Sequence, residues 1–313
     1  MEYSKKCIKT ILSGMLIFTS LLSTTSFAYG EEIDLENEIG DYTSINTQDL
    51  NLTVQDNSLI TTPTTRSMDS QDTITKFNEL METNSDLKSQ VINLLNSGDE
   101  LVGVANTTIE VIKYIDEFGN EVYEPLSELE QVTPMQMIKS SRGTGHKETD
   151  FSRGQLNYSL MVYWQTFGTN PTKYLGASVT AHWTGDMVFD TADAVGDGKD
   201  AITINMPGNF YMYSDENRFN QTYPSNFCYP EVTFQNSDVL VKFYEKSGVT
   251  NISASGDDQQ TAGPLGRVST TYLHTYIGLS LGPTVSLPGG FSIGLGAGIS
   301  YWTRALAVDF KYN

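Results

Sequence analysis

The carboxyl-terminal half of the chain carries apolar residues at every second position, which is the period of a strand with one buried face. The longest alternating runs are QLNYSLMVYWQT, GASVTAHWT and RALAVDFKY. Their apolar members are Leu156, Tyr158, Leu160, Val162 and Trp164; Ala177, Val179, Ala181 and Trp183; and Leu306, Val308, Phe310 and Tyr312. No strand–helix–strand alternation is visible, so the pattern predicts a mainly β fold, an antiparallel β-sandwich or barrel-like domain over residues 151–313.

Residues 71–97 change to a helical period. The apolar positions that would share one face are Ile74, Phe77, Leu80, Met81, Leu87, Val91, Leu94 and Leu95. Asp72 is placed to cap the start, residues 84–86 to divide the run into two helices, and Gly98 to end it in the left-handed conformation. The polar face has few lysines, so we expect this amphipathic segment to pack on the adjacent β domain and not on an anionic membrane.

A hairpin is predicted over residues 107–125, where β-branched and aromatic residues flank Gly119 and Asn120. These two residues tolerate the positive φ that a tight hairpin turn needs. Together with the helical segment, the hairpin defines a small predicted region, residues 71–130. Residues 131–150 then carry scattered Gly and Ser with basic residues, and we expect a linker that a protease reaches near Arg142 or Lys147.

The stretch GGFSIGLGAGISYW, residues 289–302, alternates apolar residues with Gly or Ser. In one interpretation, the residues that point to the core are Phe291, Ile293, Leu295, Ala297, Ile299 and Tyr301. Gly294, Gly296 and Gly298 then leave a bare face on which a neighbour packs, with the 71–97 helices as the candidate cover. The alternative interpretation makes residues 271–281 and 291–302 the two strands of a membrane-inserting hairpin, as in a pore-forming toxin.

The amino terminus has the pattern of a secretory signal peptide, residues 1–28. Lysines precede a short apolar run, and Ser26-Phe27-Ala28 fits the small-x-small rule, which predicts cleavage between Ala28 and Tyr29. Residues 29–70 are acidic at first, then rich in Thr, Ser, Asn and Gln, and poor in aromatic residues. Such a composition buries little apolar surface, so we expect a disordered acidic leader or a propeptide.

Charge narrows the range of partners. The chain has 38 acidic and 19 basic residues, for a net charge of −19. A chain of that sign repels phosphate backbones, so nucleic-acid binding is disfavoured, and a membrane is a partner only under the toxin interpretation. Of the two cysteines, Cys7 lies within the expected signal peptide, which leaves Cys228 alone and predicts a fold without an intrachain disulfide.

Candidate chemistry is sparse. The three histidines occur in no zinc-binding motif, and no G-x-S-x-G element is present. His182 and His274 could meet in space at a metal, although a histidine satisfied within a sheet is the commoner outcome. Cys228 lies in an aromatic, proline-flanked loop without a basic neighbour to stabilise a thiolate, so the sequence favours a buried, inert cysteine. No catalytic residue and no cofactor is predicted.

An acidic cluster, DTADAVGDGKD, resembles part of a calcium-binding loop. Asp193 and Asp197 fall at suitable positions, with Asp200 close by, but Val195 and Ile204 stand where two further ligands are required. A polar hairpin turn is therefore preferred over a calcium site.

These features predict a secreted, non-enzymatic, β-rich protein from a Gram-positive bacterium. Its expected role is an extracellular or cell-surface binding module whose partner is a glycan or a protein. Two alternatives stay open: a β-hairpin pore-forming toxin, and an extracellular hydrolase whose pocket gathers His182 or His274 with carboxylates.

Overall fold

The structure is a computed structural model, and it describes residues 42–64, 68–115, 121–125, 152–166, 173–185, 199–207, 210–212, 219–222, 231–235, 238–243, 249–258, 265–282 and 284–312. Within the described part of the chain, two antiparallel sheets face each other across a continuous apolar core. Helices cover the outer face of one sheet, and a short hairpin covers the outer face of the other. The predicted mainly β, antiparallel sandwich is confirmed.

The described elements are, in chain order, β1 (Thr43–Asn46), β2 (Leu50–Gln55), β3 (Ser58–Pro63), α1 (Met68–Thr83), α2 (Ser85–Asn96), β4 (Glu100–Ile115), β5 (Glu121–Pro125), β6 (Ser152–Thr166), β7 (Lys173–Gly185), β8 (Asp200–Asn205), β9 (Phe210–Met212), β10 (Phe219–Thr222), β11 (Glu231–Gln235), β12 (Asp238–Phe243), β13 (Val249–Asp258), β14 (Leu265–Leu281), β15 (Thr284–Leu287), a 3-10 turn (Pro288–Gly290), β16 (Phe291–Gly294) and β17 (Ala297–Lys311). The larger sheet of the sandwich, named sheet A, has the strand order β1-β4-β6-β7-β13-β10, with β5 paired to β4 and β9 to β13. The smaller sheet of the sandwich, named sheet C, has the order β11-β12-β8-β14-β17, and β2–β3 and β15–β16 form separate two-stranded sheets, B and D.

Strand β4 joins the amino-terminal region to the main sheet. It pairs with β6 from Glu100 opposite Trp164 to Lys113 opposite Ser152. Strand β5 in turn pairs with β4, as the predicted hairpin requires, although β4 is far longer than the short strand expected. The boundary expected at residues 131–150 therefore does not divide the sheet, and those residues themselves lie outside the described part of the chain.

The core between the sheets contains the alternating residues that the sequence indicated. Every predicted apolar position of β6 and β7 is buried there, and so are Leu306, Val308 and Phe310 of β17, with Tyr312 packed at the margin. Trp164 meets Phe310 edge to face, with 6.0 Å between ring centroids. Period-two alternation predicted the buried face of each strand correctly, because successive side chains of a strand point to opposite sides of its sheet.

Two helices pack on the outer face of sheet A. Phe77, Leu87 and Val91 are buried against Val104 and Met161 of that sheet. Asn84 breaks the run and caps α2 by accepting a hydrogen bond from the Leu87 amide at 3.0 Å, and Gly98 follows the helix end with φ +86°. The expected helical face and break are confirmed.

The cap assigned to Asp72 is wrong. Helix α1 begins at Met68, so Asp72 lies within the helix and forms an exposed ion pair with Lys76 at 2.8 Å. An acidic residue in the opening turns of a helix suits the helix dipole as well as it suits a cap, and the sequence pattern does not separate these two roles.

Disorder was expected over residues 29–70, and for residues 42–64 this is wrong. Strand β1 pairs with β4, from Thr43 opposite Asn106 to Asn46 opposite Gly103. Strands β2 and β3 form a hairpin whose Leu50 is buried against the helices. The composition misleads because this segment uses apolar surface of sheet A and of the helices, and so it needs few apolar residues of its own.

The glycine-rich carboxyl-terminal stretch covers sheet C from outside. Phe291, Ile293 and Leu295 are buried, as expected, but against Leu240 and Leu273 on the outer face of that sheet. Strands β15 and β16 pair as a hairpin, which turns at Gly289 with φ +81°. A Cβ at Gly289 would lie 2.6 Å from the Asn205 side-chain nitrogen, so only glycine fits the close approach of this turn to β8.

The expected helical cover over these glycines is wrong. Gly294 is exposed, with no atom within 4 Å of where its Cβ would stand. The expectation that Ala297 points to the core is also wrong, because this residue is exposed. The helices lie on sheet A, because the outer face of that sheet offers apolar Leu101, Val104, Met161 and Tyr163. Sheet C receives its cover from the adjacent β15–β16 hairpin instead.

Candidate functional site

The two histidines proposed as joint metal ligands lie in different layers of the molecule. His182 points out from sheet A, and its Nδ1 contacts the Asp86 carboxylate of α2. His274 points from sheet C into the sandwich, where it contacts Trp183. Sheet A therefore separates the two rings, and the hypothesis that they share a metal is wrong. Among the described residues, no group of three or more His, Cys, Asp or Glu side chains is arranged to hold a metal ion.

Asp200 is the centre of a buried polar cluster at the start of β8. Its Oδ2 accepts hydrogen bonds from the Tyr272 hydroxyl at 2.7 Å and from His274 Nδ1 at 2.9 Å. Its Oδ1 accepts from the backbone N–H of Thr275 at 2.7 Å and from the Thr275 hydroxyl at 3.2 Å. An ionised carboxylate has about four lone-pair sites and only accepts, so four converging donors match an anionic Asp200.

Aromatic rings enclose His274. Its ring centroid lies 5.1 Å from that of Trp302 and 5.3 Å from that of Trp183, and it stacks on Tyr272 with an interplanar angle of 9°. Trp183 Nε1 donates to the Tyr272 hydroxyl at 3.2 Å, which links both sheets to the Asp200 cluster. The site is thus a polar network inside an aromatic box.

A second buried chain of hydroxyl groups crosses between the sheets nearby. The Thr270 hydroxyl donates to the Thr203 carbonyl at 2.6 Å, so it serves as the acceptor of the Tyr158 hydroxyl at 2.5 Å. Burial raises the pKa of Tyr158 above its ordinary range, which keeps this phenol neutral and able to donate. Both networks join sheet A to sheet C by directed bonds in addition to apolar contact.

Burial decides what the Asp200 cluster can do. Asp200 is 1% exposed and His274 is 3% exposed, so a substrate in solvent does not reach either group. The geometry supports a structural role: the cluster fixes the relative position of β8, β14 and β7. The Asp200 carboxylate therefore binds these donors and is not part of a calcium loop.

Several other residues singled out from the sequence lie outside the described part of the chain. They are Asp193 and Asp197 of the acidic cluster, Cys228, and the expected cleavage residues Ala28 and Tyr29.

A seam of side-chain hydrogen bonds joins the edges of the two sheets. Ser44, Asn46 and Gln48, at alternate positions in and just after β1, face the edge of β17. The Ser44 hydroxyl donates to the Ala307 carbonyl at 2.9 Å, the Asn46 amide to the Asp309 carbonyl at 2.9 Å, and the Gln48 amide to the Lys311 carbonyl at 2.6 Å. The Lys311 N–H donates back to Gln48 Oε1 at 2.7 Å. Side chains thus occupy the place of a backbone ladder along this edge.

Gly103 permits the close approach at this seam. A Cβ there would lie 2.6 Å from Val308 Cγ1 and 2.8 Å from the Ile45 carbonyl oxygen. We expect Gly103→Ala to lower the free energy of unfolding by about 1–3 kcal/mol, because β1 or β17 must move apart to admit the methyl group. Urea denaturation measures the change.

The matched control is Gly294→Ala, where the added methyl group meets open space. That variant should unfold at an unchanged or slightly higher urea concentration. Equal midpoints for the two alanine variants would contradict the steric role of Gly103.

Beside the seam lies a polar cleft of about 450 Å³. Strand β1 and the residues after it form one wall, the first half of α1 forms the other, and the end of β17 closes one side. The lining residues are Ser44, Ile45, Asn46, Gln48, Asp49, Ser70, Asp72, Thr73, Lys76 and Lys311. Hydroxyl, amide, carboxylate and ammonium groups therefore converge on one cavity with a single apolar residue among them.

Charges of both signs line this cleft. The Asp72 carboxylate bonds the Lys76 ammonium group at 2.8 Å and raises the pKa of that lysine. Asp49 adds a second exposed carboxylate and Lys311 a second ammonium group. The backbones of β1 and α1 place these groups around the cleft, so donors and acceptors of hydrogen bonds face one cavity.

No family model and no curated protein matches the chain. Among solved structures, the chain is similar to the RrgA Jo.In complex at 9% identity and a TM-score of 0.27, covering 55% of this chain and 91% of that one. It is also similar to AggA, the major subunit of aggregative adherence fimbriae type I from Escherichia coli, at 10% identity and a TM-score of 0.20, covering 49% and 95%. TM-scores this low establish no shared fold and carry no argument about function.

Within the described residues, no helix combines the length and hydrophobicity that a transmembrane helix needs. None of the seam or cleft residues was predicted from the sequence to be part of a site, and Asp72 was predicted only as a helix cap. The one signal available was the alternation Ser44-x-Asn46-x-Gln48, which places three polar side chains on one face of an extended segment. That signal was hidden because the surrounding composition is typical of disorder.

Proposed function

We propose that this protein is a secreted, non-enzymatic binding module that holds a glycan in the cleft between β1 and α1. The observation that carries the proposal is the lining of the cleft, in which hydroxyl, amide, carboxylate and ammonium side chains surround a cavity of about 450 Å³. A sugar presents hydroxyl groups that both donate and accept hydrogen bonds, and this lining offers partners of both kinds.

The size of the cleft favours a small polar ligand over a protein partner. Small-molecule sites in proteins span roughly 300–1,000 Å³, a range that includes this cleft. A stable protein interface buries about 800 Å² on each partner and concentrates aromatic residues and arginine at its centre. The cleft lining contains neither residue class.

The charge of the molecule restricts the glycan further. A net charge of −19 repels polyanions at long range, so a neutral or amino-bearing sugar is favoured over a sulfated or phosphorylated one. Asp49 and Asp72 in the cleft would accept hydrogen bonds from an ammonium group of such a sugar. Secretion rests on the signal-peptide pattern of residues 1–28.

A glycan array tests this function. We expect the purified protein to bind neutral or amino-bearing glycans, and Asp49→Ala or Lys76→Ala to weaken binding about 10- to 100-fold, because each removes a charged hydrogen-bonding group. Glu110→Gln, an exposed change on β4 outside the cleft lining, is the matched control and should bind as the unmodified protein does. No bound glycan, or binding that survives both cleft substitutions, would refute the proposal.

A further inference from the structure

Strand β1 is held by different kinds of hydrogen bond on its two sides. On one side, the backbone of β1 pairs with β4; on the other side, the side chains of Ser44, Asn46 and Gln48 bond backbone groups of β17. One segment therefore closes two sheet edges at once. If it left, the β4 edge and the β17 edge would both present backbone donors and acceptors to an incoming strand.

The bonds to β17 are of a kind that opens readily. Ser44 and Asn46 are exposed and Gln48 is half-buried, so water competes for each of these hydrogen bonds. Among the described residues of segment 42–64, only Ile45 and Leu50 are buried apolar residues. This segment thus has less buried apolar surface than the strands of the central core, and local opening begins in such regions.

The chain connectivity also permits departure. Segment 42–64 precedes every other described element, and its sheet pairing and seam bonds are all made to strands later in the sequence. Exchange of such an element between identical chains needs no new surface, since the incoming copy makes the same bonds.

We propose that segment 42–64 exchanges between copies, so that the seam of one molecule binds the β1 strand of a second copy of this chain. The second copy is the occupant because the seam selects a pattern that the chain itself encodes: Ser44, Asn46 and Gln48 meet three β17 carbonyls, while Ile45 enters the apolar cluster under the helices. This proposal does not depend on glycan binding in the cleft.

Peptide exchange in the full-length protein tests opening of the seam. A site-specific protease sequence is inserted between Thr64 and Met68, the purified protein is cut there, and a fluorescent synthetic peptide of residues 42–64 is added. We expect the labelled peptide to replace the original fragment under native conditions, as followed by native mass spectrometry. A peptide with Ser44→Ala, Asn46→Ala and Gln48→Ala should incorporate at least about tenfold less, because four seam bonds are lost.

A control peptide carries Thr53→Ala, Gln55→Ala and Ser58→Ala, three exposed positions of the β2–β3 hairpin outside the seam. It should incorporate as the unmodified peptide does. Equal incorporation of the control and seam peptides would overturn the seam as the determinant. If the fragment is released only when the whole protein unfolds, near-ultraviolet circular dichroism is lost at the same time. That outcome would overturn exchange under native conditions.

The uncut protein tests the second copy as the partner. Incubation at high concentration should produce a dimer by light scattering. The yield should be greater at high salt, because each chain carries a charge of −19 and salt screens the repulsion. The triple seam substitution in the full-length chain should speed dimer formation and leave the final dimer fraction unchanged, because monomer and exchanged dimer lose the same bonds. Peptide exchange in the cut protein without any dimer of the uncut protein would overturn the proposal that a second copy is the natural occupant.

Discussion

Asp200→Ala is expected to lower the free energy of unfolding by about 3–5 kcal/mol, because it leaves several buried hydrogen-bond donors without their acceptor. Without the carboxylate, the Tyr272 hydroxyl, the His274 ring N–H and the Thr275 backbone N–H lose their acceptor inside the sandwich. Each buried donor left unsatisfied costs about 1–3 kcal/mol, so three such donors account for a loss of this size. Guanidinium denaturation monitored by tryptophan fluorescence measures it.

The control for this change is Asp72→Asn on α1. Asp72 is 66% exposed and its ion pair with Lys76 is solvated, so we expect a change within about 1 kcal/mol. Tyr272→Phe is a useful intermediate variant, since it removes one of the donors and keeps the carboxylate. A loss below about 1 kcal/mol for Asp200→Ala would contradict the assignment of Asp200 as the anionic centre of the cluster.

Phe77→Ala is expected to lower the free energy of unfolding by about 3–5 kcal/mol, as truncation of a buried phenylalanine does elsewhere. Phe77 is fully buried between α1 and sheet A. All three tryptophans of the chain, Trp164, Trp183 and Trp302, lie in the core between the sheets and none in the helices. Tryptophan fluorescence therefore reports the sandwich alone, whereas circular dichroism at 222 nm also reports the helices.

Both signals should shift together in the Phe77→Ala protein if the helices and the sandwich unfold as one unit. Glu79→Ala, an exposed position on the same helix, is the control and should change stability by no more than about 0.5 kcal/mol. A shift in circular dichroism with an unchanged fluorescence transition would show that the helical layer unfolds independently, and would contradict a shared core.

The Asp200 cluster and the seam show that the energetic effect of a polar bond depends on whether it is buried or exposed. The Asp200 bonds lie between the sheets with no competing water, so each lost partner is expensive. The seam bonds of Asn46 and Gln48 lie at the surface, where water replaces them at little cost. The first network is therefore expected to fix the sandwich, and the second to permit exchange.

Local pattern predicted the elements whose residues carry their own apolar surface. Residues 177–183 alternate strictly and residues 156–160 do so as well, and each strand buries the predicted face. Met161 and Tyr163 of the first strand are apolar on the opposite face, where the helices cover them. The 71–97 helices were likewise predicted from their period, with a break at residues 84–86, where the structure shows Asn84 as the cap of α2. Strand β1 was missed because Ile45 is its only buried apolar residue, so no period is legible in the segment itself.

The sequence by itself determined that the chain is acidic, that its carboxyl-terminal half forms antiparallel strands, and which face of each long strand is apolar, because these depend on residue type and on the two-residue period. Only the tertiary structure decided which sheet each face meets. It placed the helices on sheet A and the β15–β16 hairpin on sheet C, parted His182 from His274, and brought Asp200 to His274 and Ser44 to Ala307. Contacts between residues 74 and 263 positions apart arise from strand order and sheet packing, which no local pattern encodes.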